Sequence, residues 1–584
     1  MPNNSTPDNP SAANEPRFVA DLLAKAIEAY HQKDLEHANS LYEQIISIDP
    51  YHPDALMALA NIAIEFNDID NALTYLERGV KAHPNIAEFH CHLANVLMKK
   101  NKMSGAEQCY QQALQLKPDY AEAYHNLGIL YYKTHRREQA LQSFAKAVQI
   151  NPEYVDAHFS LGLLFLVQQQ YDAAFKEFRN VIELYPGHLS AQYQLANLYL
   201  QRQELTDALR HYYEVLKFQP EHLEALNNVG AILFQQNKDT DALQYFYRII
   251  NLEPNHTEAH FNMATILMKY YRFSEALAHY QQIVALQPED IDAHYNLGVV
   301  LYELDKLDDA IKENLWIIQR EPNHIAALIN LGAAYLKKGE LNTALEYYQK
   351  VLVLQPDNES IKYLVCALSG SQQPQQAPEA YIKQLFDQYA SHYDLHITKT
   401  LQYNVPQQMK NILKNVLNLT LLNISLLDLG CGTGLTGAEF RDVAKRLVGI
   451  DLSEKMLNIA REKNVYDELI EGDITVVLQQ LTEQFDLILS ADTFVYFGDL
   501  QALFSACRSV LNNNGYLVFS TELLADDGRD YVLQNTGRYK HQQRYILQLA
   551  TQNNYSVMTQ QPVILRIQDD VPCEGLITVL LKNN

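Results

Sequence analysis

Ten prolines stand 34 residues apart: Pro50, Pro84, Pro118, Pro152, Pro186, Pro220, Pro254, Pro288, Pro322 and Pro356. Twelve residues before each one is an alanine, from Ala38 and Ala72 through to Ala344. Twenty-four residues before each is Ala or Gly, as at Ala60, Gly128, Gly162, Gly230, Gly298 and Gly332. Eight residues before, an aromatic is usual, as at Tyr42, Tyr110, Phe144, Phe178, Tyr212, Phe246, Tyr280 and Tyr348. A register of this length confines the chain to stacked supersecondary units that bury their apolar faces on their neighbours. Small residues let two antiparallel helices cross closely, and the aromatic fills the gap towards the next unit. Proline, with no N–H and a clash with the preceding turn, ends the second helix.

The pattern resembles the tetratricopeptide repeat, with ten copies over about residues 19–358. Residues 1–18 read as a polar, disordered leader, and residues 359–370 as a helix that caps the stack against solvent. Most of the 38 tyrosines are assigned to the repeat core, and the scattered histidines to packing or surface rather than metal. Two positions before the Gly/Ala site the first helix carries Asn126, Asn228, Asn262, Asn296 and Asn330. An amide offers both a donor and an acceptor, so recurring Asn could clamp the backbone of an extended peptide, or could simply be tolerated at a half-exposed position. The segments HYNLGVVLY and ALINLGAAY are similar to repeats of O-GlcNAc transferases, which imply the clamping role.

After a Gln/Pro-rich linker ending at Pro378 the periodicity changes. A helix is expected over Glu379–Tyr393, then alternating strands and helices, as in a parallel sheet covered on both faces. The first strand, Leu426–Leu429, opens into a loop with Gly430, Gly432 and Gly434, where the backbone can approach a ligand with no side chain between. Taken alone, Gly432, Gly434 and Gly437 would also satisfy a dinucleotide fingerprint. Three acids separate the readings. Asp428 sits where a carboxylate suits the ammonium of an amino-acid ligand and ill suits a pyrophosphate. Asp451 ends the second strand, Leu447–Asp451, placed to accept from ribose hydroxyls. Asp473 follows a third strand, where it could accept from an adenine amino group. Further strands are expected at Phe485–Ser490 and Tyr516–Ser520, and a terminal hairpin from Val563–Ile567 and Gly575–Leu581.

The segments YIKQLFDQYASHYD, LDLGCGTGLTG, IDLSEKML, SADTFVYFGDL and GRYKH carry a resemblance to class I S-adenosylmethionine (SAM)-dependent methyltransferases, and to bacterial ones that bear tetratricopeptide repeats. The fold so implied is an all-α repeat superhelix followed, over residues 379–584, by an α/β Rossmann-like methyltransferase domain. The implied cofactor is SAM, held by the glycine loop, Asp451 with Leu452, Asp473 with Ile474, and Ala491, under Tyr389 and Tyr393. Candidates for a general base are Asp492, Tyr496, Asp499 and His541, each weighed against packing or helix capping. No metal is expected.

The formal net charge is -24, shared between both halves, and such a field repels phosphate backbones and anionic lipid heads. A protein or peptide in the repeats is therefore the expected partner, with neither nucleic acid nor membrane. Six cysteines far apart point to thiols in a reducing cytoplasm. Alternatives to a partner-recruiting methyltransferase are a scaffold with a non-catalytic second half, a small-molecule methyltransferase whose repeats serve assembly, and an NAD-dependent oxidoreductase.

Overall fold

The structure is a computed structural model that describes residues 15–371, 373–390, 393–417, 423–568 and 571–584. The expected leader lies outside the described residues as far as residue 14. Its last four positions do not belong to a leader, because the first helix already runs Glu15–His31. By its packing the chain divides into two compact units, up to Ile266 and from Leu267 onwards.

The first unit consists of antiparallel helix pairs, beginning Glu15–His31 with Leu35–Ile48 and Pro53–Glu65 with Ile69–Ala82. Each second helix stops two residues before its proline, since the residue preceding proline is driven out of the helical region. The repeat signature has a direct steric meaning. A Cβ on Gly128, Gly162 or Gly230 would overlap the ring of Phe144, Phe178 or Phe246, so each ring occupies the space its glycine leaves open. The turn inside each repeat closes in the left-handed region at Lys33, Asn67, Asn101, His135, Gln169, Gln203 and Asn237, again 34 residues apart. The side chains there vary, so this backbone period is invisible in the sequence. His90, His158 and His260 each donate from Nε2 to the carbonyl of the preceding repeat proline, which is a packing role.

The second unit opens with the remaining repeats, including Ile291–Glu303, Ile325–Lys337 and Leu341–Leu354, and then the helix Glu359–Ser369. That helix is capped by the Asn358 side chain and ended by Gly370 in the left-handed region. It is not a cap turned to solvent. Tyr363 and Ala367 are buried in the core of the α/β fold, and the Tyr363 hydroxyl donates to Gly537 O at 2.9 Å. The segment expected as a linker is also tied down: Ala377 N donates to Tyr496 O, and Gly498 N donates to Gln375 O. The next helix is shorter than expected, Glu379–Tyr389.

The sheet comprises β1 (Ile424–Leu429), β2 (Ala444–Asp451), β3 (Glu468–Glu471), β4 (Phe485–Ser490), β5 (Leu511–Leu523), β6 (Tyr531–Leu533), β7 (Tyr539–His541), β8 (Tyr555–Gln568) and β9 (Val571–Lys582). β3, β2, β1, β4 and β5 lie side by side and parallel; β9 adds antiparallel to β5, and β8 antiparallel to β9. Strand alternation supplies two faces. Leu427, Val448, Ile488 and Phe519 pack on the helices Ile474–Gln480, Gln501–Val510 and Gln543–Gln552, whereas Leu426, Leu447, Leu487 and Val518 pack beneath Val405–Leu417. The strand order reverses between β1 and β4, which places a crevice at their carboxyl ends.

Candidate active site

That crevice is a pocket partly open to solvent, with about 640 Å³ of space in and around its mouth. Its floor is the loop after β1. Gly430 and Gly432 have φ of 70° and 53°, a region costly for other residues. A Cβ on Gly430 would strike Thr493, while one on Gly432 would meet no protein atom within 4 Å. Gly432 is thus the point where bare backbone faces the cavity. Asp451 secures it: Oδ2 accepts from Gly432 N at 2.8 Å and Oδ1 from Ser453 N at 2.9 Å, which ties the first loop to the second. Burial holds the Asp451 carboxyl above the usual range, opposed by those amides. Leu452, Asp473, Ile474 and Ala491 complete the wall, together with Ile382, Phe386, Met456 and Phe497, which the sequence did not single out. Asp473 is also the cap of the helix Ile474–Gln480; its bonds to Thr475 and Val476 all go to Oδ1.

Three expected cofactor residues lie elsewhere. Asp428 is fully buried beneath the loop and does not line the cavity. Its Oδ2 accepts from the Tyr466 hydroxyl at 2.7 Å, and Oδ1 has no hydrogen-bond partner. Burial pushes its carboxyl up to about 7, the Tyr466 bond opposing this and Asp451 adding to it. Gly434 begins the helix Leu435–Phe440 behind the loop. Tyr389 lines a neighbouring cavity, where its hydroxyl meets His396 Nδ1.

The raised Asp428 carboxyl has a consequence for stability. Between about pH 4 and pH 7 the folded state keeps a proton that the unfolded chain has lost, so stability falls as pH rises through this window. Relative to Asp428→Asn, which cannot ionise, the wild type is expected to lose about 2–4 kcal/mol across it. Thermal unfolding of both proteins at pH 5 and pH 8 checks this; parallel pH profiles would contradict it.

Of the candidate bases, Asp492 and Tyr496 line the cavity and His541 does not. His541 is fully buried, donates from Nε2 to Phe497 O at 2.8 Å, and burial pushes it down to about 4. It is a neutral tether for the loop after β4. Asp499 accepts from Gln501 N just before the helix Gln501–Val510 and from the Tyr545 hydroxyl at 3.0 Å. Asp492 is held in an ion cluster: Arg538 pairs with Asp492 and Glu522 and donates to the Tyr496 hydroxyl at 3.1 Å, and Arg566 pairs with Glu522 at 2.7 Å. Arg538 stood within a motif quoted above, but no sequence signal marked Arg566.

Among the repeat asparagines, Nδ2 of Asn126 donates to Asn95 and that of Asn228 to Asn197 and Tyr212, while Asn262 donates to Asn227 at 3.4 Å. Asn296 donates to Asp292 O. Asn330 Nδ2 is buried without a partner in a groove shared with Tyr295, Tyr302, Gln384 and Gln388.

Comparison with known proteins agrees with this architecture. Residues 427–519 match the family described as a methyltransferase domain, and residues 29–96, 125–188, 193–256 and 325–358 match the tetratricopeptide repeat. The chain carries tetratricopeptide repeats and a methyltransferase domain. The methyltransferase domain is similar to malonyl-[acyl-carrier protein] O-methyltransferase of Priestia megaterium, 33% identical over 24% of this chain and 50% of that protein. It is also similar to ubiquinone biosynthesis O-methyltransferase of Thiobacillus denitrificans, 30% identical over 20% of this chain and 55% of that protein. The chain thus spans about half the length of these curated relatives. Magnesium protoporphyrin IX methyltransferase of Synechocystis, solved with bound SAH, aligns at 16% identity and a TM-score of 0.29, covering 35% of this chain and all of that one. Among the described residues, no helix is long and apolar enough to cross a membrane.

Proposed function

We propose that this chain is a SAM-dependent methyltransferase whose repeats hold a protein partner that is, or carries, the methyl acceptor. The observation that carries the reading is the charge of the cavity. Among the described residues its lining includes Asp451, Asp473 and Asp492, the last paired with Arg538, and no Lys or Arg, and the Gly432 amide is spent on Asp451. A pyrophosphate needs loop amides and tolerates no carboxylate among them, which argues against NAD. A cationic nucleoside fits, and the relatives named O-methyltransferases support the same reading.

The chemistry the cofactor supplies is a methyl group on a positively charged sulfur. The chain's residues have the remaining tasks. Asp451 accepts from the ribose, Asp473 Oδ2 is available for the adenine, and Gly430 and Gly432 give the backbone its close approach. Phe386, Tyr393 and Phe497 exclude water, so that alignment of acceptor and methyl is the main source of rate. Asp492 and Tyr496 serve this alignment. Their bonds to Arg538 fit positioning better than proton abstraction. The six cysteines, all free thiols, suit a cytoplasmic setting.

For the repeats, partner capture would rest on the recurring asparagines: four of them already spend an Nδ2 hydrogen on neighbouring groups, and the Asn330 amide has a donor to offer a peptide. A triple replacement of Asn126, Asn262 and Asn296 by Ala is expected to abolish capture of the acceptor protein while leaving SAM binding unchanged. Labelled methyl transfer into lysate proteins, resolved on a gel, reads both properties. The same protein bands from the triple variant, or label only among small molecules, would refute recruitment by the repeats.

A further inference from the structure

Beside the cofactor cavity lies a second one that is open to solvent, and the two share Phe386, Tyr393, Asp492 and Tyr496. It also contains Arg538, Arg566 and, from the repeat helix Ile325–Lys337, Lys337. The acidic first cavity thus opens beside a wall that bears three cations. Arg538 is fully engaged by Asp492, Glu522 and Tyr496, and Lys337 pairs with Asp305 at 3.0 Å. Arg566 is different. Its Nη2 donates to Glu522 at 2.7 Å, but its Nη1 is buried with no hydrogen bond, and Asp492 Oδ1 is 3.6 Å away. The residue is 5% exposed, so water does not supply the missing acceptor freely. A charged donor of this kind, in a cavity wall, calls for an anionic oxygen.

A second feature points the same way. No side chain shared by the two cavities is placed to take up a proton. Asp492 is held by Arg538 and faced by Arg566, the Tyr496 hydroxyl accepts from Arg538, and burial raises Tyr393 well above its ordinary range. His396 lines the second cavity and is not shared by the two. Among the described side chains shared by the two cavities, an acceptor that must first lose a proton finds no free base, whereas one already ionised at neutral pH needs none.

We infer that the acceptor is a carboxylate, bound through Arg566 Nη1, and that the product is its methyl ester. This rests on the SAM-dependent reading above. One carboxylate oxygen takes the guanidinium hydrogen bond; the other forms the new O–CH3 bond as the S–CH3 bond breaks and its electron pair stays on sulfur. The products are a methyl ester and S-adenosylhomocysteine (SAH), and no proton moves. Arg566 is a substrate-binding residue in this scheme.

The test uses the full chain, SAM labelled in the methyl group, and defined surrogates: glutarate, benzoate and the glutamyl peptide acetyl-Gly-Glu-Gly-amide, against an alkyl amine and a phenol of like size. Expected is label from the carboxylates only, released as volatile methanol by mild alkali. Arg566→Met should raise KM for these surrogates about 10–100-fold, the worth of one charge-assisted hydrogen bond, with Arg566→Lys intermediate. Calorimetric SAH affinity should be unchanged in both variants. Transfer to the amine or phenol, label stable to alkali, no transfer to any carboxylate by a protein that binds SAH, or an unaltered KM in both variants would overturn the inference. A wild type that takes up no SAH instead refutes the SAM-dependent reading on which it rests. If Arg566→Met does not fold, Arg566→Lys decides the KM question alone.

Discussion

Replacing Asp451 by Ala should weaken SAH binding by roughly 10²–10³-fold, the combined worth of two hydrogen bonds to a buried charge. The size follows from where the carboxylate sits. One oxygen holds the Gly432 amide and the other the Ser453 amide, so the group fixes the floor of the cavity it lines. Removing it deletes the bonds to the ribose and also loosens the left-handed turn at Gly432. Asp451→Asn separates these effects, since it retains one acceptor and should lose only about ten-fold. Calorimetric titration with SAH gives both numbers. Equal affinity in the wild type and Asp451→Ala would remove Asp451 from the site.

The second large effect concerns the ion cluster under the acceptor wall. Arg538 sits between Asp492 and Glu522, all three largely buried, with 13%, 10% and 4% of their side chains exposed. Arg538→Met leaves Asp492 with one long contact to Arg566 as its remaining ion pair. Breaking a buried pair from one side costs about 3–5 kcal/mol; Arg566 still compensates Glu522, so about 3 kcal/mol is expected. Adding Asp492→Asn to this variant removes the stranded charge and should recover part of the loss. Urea unfolding followed by a signal from the methyltransferase domain measures the difference. A single variant as stable as the wild type would show that the cluster is not a structural necessity.

What was legible in the sequence is what repeats or what is local. The register of the repeats, the order of the first strands and the glycine loop are written in short segments, and Gly430, Gly432, Asp451 and Asp473 came from spacing alone. Asp428 was expected at the cavity and lies beneath the loop instead, where the Tyr466 hydroxyl, 38 positions along the chain, donates to its Oδ2. His541 was named on residue type, yet its environment is built by Tyr531 and Tyr545 and by carbonyls over forty positions away. Arg566 shows the limit most clearly. It stands beside buried Leu565, so strict alternation would turn it to solvent. The register of β8 against β9 slips between Ile564 and Arg566, and this irregularity turns the guanidinium inward. The cap helix and the segment after it looked like spacers, but Tyr363, Ala377 and Gln375 are part of how the last repeats join the α/β fold.

The central claim is that the acidic crevice beyond β1, β2 and β4 takes a cationic nucleoside amino acid. Titration of the full chain with SAM, SAH and NAD in one calorimetric series tests it. The account predicts one equivalent of SAM and of SAH bound and no heat from NAD. Saturable binding of NAD, or no uptake of SAM by folded protein, would contradict it.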